Sequence, residues 1–216
     1  DTTIGNGLIN AFIAYSACMH FGSQARIIVA GDDCLIAIKG DFDADALAQY
    51  EATFGIIPEY GKIKDWWNVS FISGLWYPSA DGLFFAPKIG RLIARLTWCT
   101  RSIKKNARKI WLRSVASGLG TARQLPVLRV LLGNMATEGV MDENFAIRYQ
   151  EHFAGEMTVS ADILQFVCRR YGISELDILS LEQQVAAVGL RRCLLVHDVA
   201  DKIMEWDFAD PADRVC

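Results

Sequence analysis

Two short apolar runs near the start of the chain, residues 27–30 and 34–38, flank Gly31-Asp32-Asp33. The β-branched residues in both runs are typical of strands. Gly31 suits a tight turn because glycine adopts a positive φ without a steric penalty. The pattern predicts a β-hairpin that presents two carboxylates at its tip, where a divalent metal ion can reach them. An Asp-Asp pair alone is more often an ordinary solvated turn, so the flanking segments decide between these interpretations.

A helix is predicted before the hairpin, because apolar residues of segment 2–15 recur at helical spacing. This predicted apolar face consists of Ile4, Leu8, Ile9, Phe12 and Ile13. Downstream, segment 43–54 is predicted to be a helix that Asp41 or Asp43 caps and Gly55 ends. The stretch 8–21 is too short to span a bilayer, and we interpret it as a core helix.

A second hairpin is predicted from strands 68–74 and 82–86, which surround the turn-rich stretch 78–82. Beyond it the chain reads as helical. Thr100 is predicted to cap a helix over 101–117 that ends at Gly118, and a last amphipathic helix is predicted over about 190–206.

Two further helix starts are predicted from capping residues. Ser160 is predicted to cap a helix over 161–171 that Gly172 closes, and Ser180 with Gln183 has the spacing of a capping box. The six cysteines show no Cys-x-x-Cys spacing, which favours reduced, buried thiols over a zinc site. The three histidines are scattered, so we assign them no catalytic role.

The order of these features resembles motifs B to E of the RNA-dependent RNA polymerases of positive-strand RNA viruses. Thr2 and Asn6 match the motif B threonine and asparagine, and Gly31-Asp32-Asp33 matches motif C. Segment 43–54 resembles the motif D helix, and the second hairpin resembles motif E, the primer grip. Residues 86–91 are similar to the corresponding stretch of nodavirus-like and tombusvirus-like polymerases.

The resemblance implies an α+β fold. Part of a right-hand polymerase palm, with antiparallel strands, the Gly-Asp-Asp hairpin and helices, would occupy residues 1–87, and an all-helical thumb residues 88–216. The chain opens inside motif B, so we expect a C-terminal fragment that lacks motif A and the fingers. Such a fragment is expected to be inactive without the N-terminal part of the polymerase, which becomes an expected partner.

The resemblance also implies a site. Asp32 would be the principal metal ligand with Asp33 assisting, and Mg²⁺, or Mn²⁺, would be the cofactor of a two-metal nucleotidyl transfer. Asn6 would read the ribose 2′-hydroxyl, since an amide both donates and accepts hydrogen bonds, and Thr2 would shape the nucleotide pocket. Lys62 would protonate the pyrophosphate leaving group as a catalytic general acid.

Two of these assignments have alternatives. Asn6, which lies between Gly5 and Gly7, is also suited to capping a helix. Lys64 lies on the same predicted loop as Lys62 and is a second candidate for the general acid.

Charge is distributed unevenly along the chain. Residues 82–137 contain eleven Lys and Arg but no Asp or Glu, and the remainder carries a formal charge of −14. The basic segment suggests an anionic partner, the alternative being a solvated basic helix. The predicted RNA-binding residues are Ser73 of the primer-grip hairpin and the basic residues Lys88, Arg91, Arg95, Arg101, Lys104, Lys105 and Arg108.

The resulting expectation is an RNA-directed RNA polymerase that binds an RNA template, the RNA product and ribonucleoside triphosphates. It would act in the host cell cytoplasm, in viral replication complexes associated with membranes through regions outside this fragment. The competing interpretation is a non-catalytic RNA-binding or replication-scaffold module, in which the Asp-Asp pair is only a turn.

Overall fold

The computed structural model describes residues 2–58, 60–96, 103–104, 107–136, 139–140, 160–189 and 196–209. Over these ranges the fold is α+β, with eight α-helices and small antiparallel sheets. The described residues divide into two compact units, unit 1 up to Ser73 and unit 2 from Gly74 to Ala209. The division between the compact units therefore falls earlier in the chain than the palm and thumb boundary predicted at 87/88.

Unit 1 opens with the predicted helix and hairpin. Helix α1 is Thr2–His20, and strands β1 (Ala25–Ala30) and β2 (Asp33–Ile38) pair antiparallel from Ala25↔Ile38 to Ala30↔Asp33. Helix α2 (Ala44–Ala52) follows, and the short strand β3 (Ser70–Phe71) lies near the end of the unit. The predicted β-hairpin with its tip at the Gly-Asp-Asp sequence is confirmed.

The start of α2 shows how a side chain fixes a helix boundary. The backbone amides of Asp45 and Ala46 donate to Asp43 Oδ1 at 3.0 and 3.2 Å, so Asp43 is the cap and Asp41 is not. The helix ends at Ala52, and Gly55 has a φ of 80° just beyond it.

The predicted apolar face of α1 is mostly exposed. Leu8 and Phe12 are 69% and 64% exposed, whereas Ile13 from the same predicted face is 6% exposed. The residues that α1 buries with Ile13 are instead small, namely Ala14, Ala17 and Cys18. The prediction of the helix was right, but the prediction that its bulky apolar face lies in a core was wrong.

Unit 2 begins with a hairpin whose register differs from the prediction. Strand β4 is Gly74–Ser79 and strand β5 is Gly82–Pro87, and they pair around the two-residue turn Ala80-Asp81. The predicted strand 68–74 is found only as the short strand β3, because residues 66–68 form a 3₁₀ turn. The strand that pairs with β5 is β4, and it includes Pro78 and Ser79, which were predicted to be in the turn.

Six helices follow the hairpin of unit 2. They are α3 (Ile89–Leu96), α4 (Arg108–Gly118), α5 (Leu128–Met135), α6 (Asp162–Tyr171), α7 (Glu175–Val188) and α8 (Asp198–Ala209). The end of α4 at Gly118 matches the prediction. The predicted cap Thr100 lies outside the described residues, but residues 103–104 are described and are not helical, so the predicted helix start at 101 was wrong and α4 begins at Arg108. The last helix extends beyond the predicted end at 206, and residues 190–195 of that prediction are outside the described ranges.

The capping predictions had mixed outcomes. Ser160 Oγ accepts from the Asp162 amide at 3.1 Å, and Gly172 ends α6 with a φ of 59°, as predicted. The capping box at Ser180 was wrong, because α7 begins earlier, and the observed capping box joins Ser174 and Asp177.

A buried polar cluster ties three helices of unit 2 together. Asp207 on α8 accepts a hydrogen bond from the Gly90 amide at 2.7 Å and one from the Tyr171 hydroxyl at 2.9 Å. The Arg170 guanidinium lies 3.5 Å from the same carboxylate, and Arg170 and Asp207 are both buried. We call Gly90, Arg170, Tyr171 and Asp207 the α8 anchor.

Gly90 is required for the close approach of α3 and α8. A Cβ at Gly90 would lie 2.5 Å from the Ile203 carbonyl oxygen, which is backbone and cannot move aside as a side chain can.

Within the described ranges, none of the helices combines the length and the apolar character needed to cross a membrane. The described cysteines Cys18, Cys34 and Cys168 are free thiols.

Candidate functional site

The tip of the first hairpin is a two-residue turn, Gly31-Asp32. Gly31 has a φ of 66°, whereas Asp32 is not among the described residues with positive φ. Positive φ at only the first central position defines a type II′ turn, which requires glycine there. Gly31 is buried, Asp32 is exposed, and Asp33 is half-buried as the first residue of β2. The turn therefore presents the Asp32 carboxylate to solvent beside Asp33.

Helix α1 packs directly against this turn. The Asn10 side-chain amide donates from Nδ2 to the Gly31 carbonyl oxygen at 2.9 Å. A Cβ at Gly31 would lie 3.5 Å from Thr3 Cγ2, and a Cβ at Gly7 would lie 3.6 Å from the Gly31 backbone nitrogen. Thr3, Gly7 and Asn10 are spaced i, i+4 and i+7, which is one face of a helix. The sequence analysis missed this face, although its helical spacing was a usable signal.

Asn6 lies inside α1, one turn before Asn10, and it is exposed. Because residues four apart share a helix face, Asn6 is on the side of α1 that carries Asn10. The alternative in which Asn6 caps a helix is wrong, since α1 already begins at Thr2. Thr2 is thus the first helical residue, and its side chain lies outside the described part of the structure.

Lys62 does not lie beside the two carboxylates. Its exposed ammonium group donates to the Phe42 carbonyl oxygen at 3.4 Å, beyond the far end of β2. Since a strand rises about 3.3 Å per residue, the length of β2 separates this region from Asp33 by roughly 16 Å. Lys64 is exposed on the same loop. The structure therefore places Asp32 and Asp33 at the turn and Asn6 on the helix that packs against the turn, and it leaves Lys62 apart.

An uncharged groove runs between α1 and β1 and ends at the turn. Its lining includes Leu8, Phe12 and Val29, and the residues nearest the tip are Thr3 and Gly31. Among the residues that the structure describes, none with a charged side chain lines this groove. The polar chemistry at this end of the hairpin is therefore carried by the carboxylates and the two asparagines of α1.

A cluster of titratable groups lies in unit 1. Burial raises the pKa of Glu51, and a hydrogen bond from the Tyr60 hydroxyl opposes that rise. Burial, reinforced by the nearby Glu51 carboxylate and Cys18, raises the pKa of Cys34 to about 11. Burial and Glu51 also raise the pKa of Cys18. Both thiols therefore stay protonated at neutral pH and are not activated nucleophiles.

The predicted RNA-binding residues differ widely in accessibility. Lys88 is 0% exposed, so the prediction that it contacts RNA phosphates was wrong. Its charge instead acts on the buried Asp207 carboxylate. The Arg91 guanidinium is half-buried over the Phe208 ring at 5.3 Å from the ring centroid, while Arg95 is exposed. Lys88, Arg91 and Arg95 therefore do not form one accessible basic face.

Other basic residues of the segment remain available for phosphate contacts. Lys104 and Arg108 are exposed, and Arg101 and Lys105 lie outside the described residues. Ser73 is half-buried, with a φ of 58°.

A Ser–His pair occurs in unit 2 between residues that no sequence pattern linked. Ser180 Oγ lies 3.4 Å from His197 Nε2, and His197 Nδ1 accepts from the Val199 amide at 3.2 Å. Because Nδ1 is the acceptor, the neutral ring carries its proton on Nε2 and donates to Ser180. In this tautomer the ring donates to the serine and does not accept its proton, and His197 Nδ1 accepts from the first turn of α8.

Among the described residues, no group of three or more His, Cys, Asp or Glu side chains is placed to hold a metal ion. The hairpin tip presents two carboxylates, those of Asp32 and Asp33. Comparison with known proteins gave no match to a family model, to a curated protein or to a solved structure.

Proposed function

We propose that this chain forms the palm end and thumb of an RNA-directed RNA polymerase of a positive-strand RNA virus. The observation that carries the proposal is the carboxylate pair at a glycine-dependent type II′ turn, against which α1 packs with Asn6 and Asn10 on one face. An ordinary solvated Asp-Asp turn has no need of a helix that holds its backbone. The order of Asn6, Asp32 and Asp33 along the sequence supports the same proposal.

The residues at the turn fit a hard divalent cation in part. Mg²⁺ prefers carboxylate and phosphate oxygens, keeps several waters, and binds through one or two carboxylates plus substrate phosphates. Asp32 and Asp33 supply such carboxylates, and Asp32 is exposed to solvent. A bound Mg²⁺, or Mn²⁺, would neutralise charge on the reacting phosphates. In the proposed enzyme the remaining protein ligand belongs to motif A, outside this sequence.

The chain's own residues would bind and orient the substrates. The Asn6 amide would donate to and accept from the ribose 2′-hydroxyl of a ribonucleoside triphosphate, and this pairing discriminates against a deoxyribose. Arg95, Lys104 and Arg108 would contact phosphates of template and product RNA without reading sequence. We leave Lys62 out of the proposed site, because its ammonium group lies beyond the far end of β2.

The proposed setting follows from the proposed activity. The polymerase would act in the host cell cytoplasm, in viral replication complexes associated with membranes through other regions. Its partners would be the RNA template and product, the ribonucleoside triphosphates and the N-terminal part of the polymerase.

The test is metal-dependent RNA-templated primer extension by the longer polymerase that contains this sequence. Asp32→Ala should abolish nucleotide incorporation while RNA binding persists, because phosphate contacts elsewhere supply the affinity. Asp81→Ala is the matched control, since Asp81 is an exposed aspartate in the two-residue turn of the other hairpin. Incorporation by Asp32→Ala at the rate of Asp81→Ala would overturn the proposal. RNA binding without any incorporation by the unaltered protein would favour the scaffold alternative.

A further inference from the structure

We propose that Asn10 is a positioning residue that sets the direction of the Asp32 carboxylate by locking the peptide bond between Gly31 and Asp32. The inference rests on the proposed function, in which Asp32 is a metal ligand. It assigns to Asn10 a role that the resemblance to polymerases did not include.

Asn10 holds the peptide unit that joins Gly31 to Asp32. The Gly31 carbonyl belongs to the same planar peptide group as the Asp32 nitrogen and Cα. A hydrogen bond of 2.9 Å to the carbonyl oxygen therefore fixes the plane from which the Asp32 side chain starts. Asn10 controls the orientation of Asp32 without touching its carboxylate.

This peptide unit is also the one that a two-residue turn can flip. Types I′ and II′ both have positive φ at the first central residue, and they differ in the sign of φ at the second. Gly31 with a φ of 66° is compatible with either type, whereas Asp32 does not have the positive φ of type I′. Rotation of the central peptide would turn the Gly31 carbonyl away from Asn10 and redirect Asp32. The Asn10 hydrogen bond therefore selects the type II′ form.

The neighbouring contacts of α1 make this bond specific. Positions 3 and 7 of α1 also lie against Gly31: a Cβ at Gly7 would be in ordinary van der Waals contact with the Gly31 nitrogen at 3.6 Å, and a Cβ at Gly31 with the Thr3 methyl group at 3.5 Å. Only a side chain with a donor on a short stem reaches a carbonyl so close to the helix. Asparagine meets this need, whereas aspartate of the same length has no donor at neutral pH.

The test uses the full 216-residue chain and reads the turn directly by NMR. The Gly31 carbonyl ¹³C resonance reports the hydrogen bond, and Mn²⁺ broadening of the Asp32 and Asp33 amide resonances reports metal binding. Asn10→Ala removes the donor and keeps a good helix former, so α1 is retained. Gln49→Ala is the matched control, because Gln49 is an exposed amide on α2 of the same unit.

The expected result is that Asn10→Ala shifts the Gly31 carbonyl resonance upfield and raises the Mn²⁺ concentration for half-broadening about tenfold. Tenfold is the low end of the effect of groups that orient metal ligands. Asn10→Gln, which keeps a donor on a longer stem, should move both readouts less. Gln49→Ala should move neither readout, and far-UV circular dichroism should show that all variants fold.

Two results would overturn the inference. If Asn10→Ala shifts the Gly31 carbonyl but leaves the Mn²⁺ dependence unchanged, the bond is structural only. If Mn²⁺ never broadens Asp32 and Asp33 in the unaltered chain, the proposed metal site itself fails and the inference falls with it. The Gly31 carbonyl readout distinguishes these cases, because it reports the hydrogen bond whether or not metal binds.

Discussion

The α8 anchor gives the sharpest stability prediction, through the substitution Asp207→Asn. The Asp207 carboxylate is 0% exposed and receives donors from Gly90, Tyr171 and Arg170. Asparagine has the same shape but no charge, and its amide nitrogen would meet donors where the carboxylate offered an acceptor. The substitution therefore leaves the buried Arg170 guanidinium without its counter-charge.

The expected cost can be worked from these contacts. Breaking a buried ion pair by removing one partner costs about 3–5 kcal/mol, because the other charge remains buried and uncompensated. At a urea m-value of about 2–3 kcal/mol/M, the unfolding midpoint should fall by roughly 1–2.5 M. Glu205→Gln on the same helix is the control, since Glu205 is exposed and surface substitutions stay within about 0.5 kcal/mol.

The assay is urea unfolding followed by far-UV circular dichroism at neutral pH. If Asp207→Asn unfolds at the same urea concentration as Glu205→Gln, the reasoning is refuted, and the anchor does not stabilise unit 2 through its charge. A midpoint shift for Asp207→Asn together with an unchanged m-value would support a loss of stability in the folded state.

Three further predictions concern the hairpin, Glu51 and the basic segment. Gly31→Val should destabilise unit 1 by about 1–3 kcal/mol in urea unfolding, because a β-branched residue is strained at a φ of 66°. Burial raises the pKa of Glu51, so the carboxyl stabilises the fold below its ordinary pKa and loses this contribution as pH rises through the raised value. Glu51→Gln should therefore match wild-type stability near pH 4 and exceed it near pH 8. A difference in the free energy of unfolding that stays constant across this range would contradict the predicted pH dependence. Arg95→Ala with Arg108→Ala should weaken RNA binding and lower the magnitude of the slope of log K against log salt by about 0.7–0.9 per lost phosphate contact. An unchanged slope would show that these arginines do not contact phosphates.

Local signals predicted the first hairpin and the cap of α2. Gly31 lies between two β-branched runs, and Asp43 lies three residues before Ala46, whose amide donates to it. In both cases the residues that determine the local structure are only a few positions apart. The second hairpin was shifted because Pro78 and Ser79 are typical turn residues, so the turn was predicted over 78–82. Both residues belong to β4 instead, and Ser79 pairs with Gly82. The true capping box at Ser174 was overlooked because its partner is Asp177 rather than the more usual Glu or Gln.

Long-range contacts explain the larger errors. Lys88 was predicted to bind RNA from its place in a basic segment, but the fold buries it near Asp207, far along the chain. Helical periodicity found the apolar face of α1, yet periodicity does not tell which face packs, and the buried side is the one with Ala17 and Cys18. The hydrogen bond of Asn10 could not be predicted from local sequence, because it joins residues 21 positions apart and forms only where the hairpin packs against α1.

The central claim, that Asp32 and Asp33 hold a divalent metal at the hairpin tip, is tested most directly by iron-mediated backbone cleavage of the 216-residue chain. Fe²⁺ bound in place of Mg²⁺ generates hydroxyl radicals with ascorbate and peroxide, and these cut the backbone near the metal. We expect cleavage around residues 31–33 and in residues 3–10 of α1, which pack against the turn. Excess Mg²⁺ should suppress this cleavage, and the double variant Asp32→Ala with Asp33→Ala should lack it. Cleavage that is absent from these segments, or that persists in the double variant, would contradict the claim.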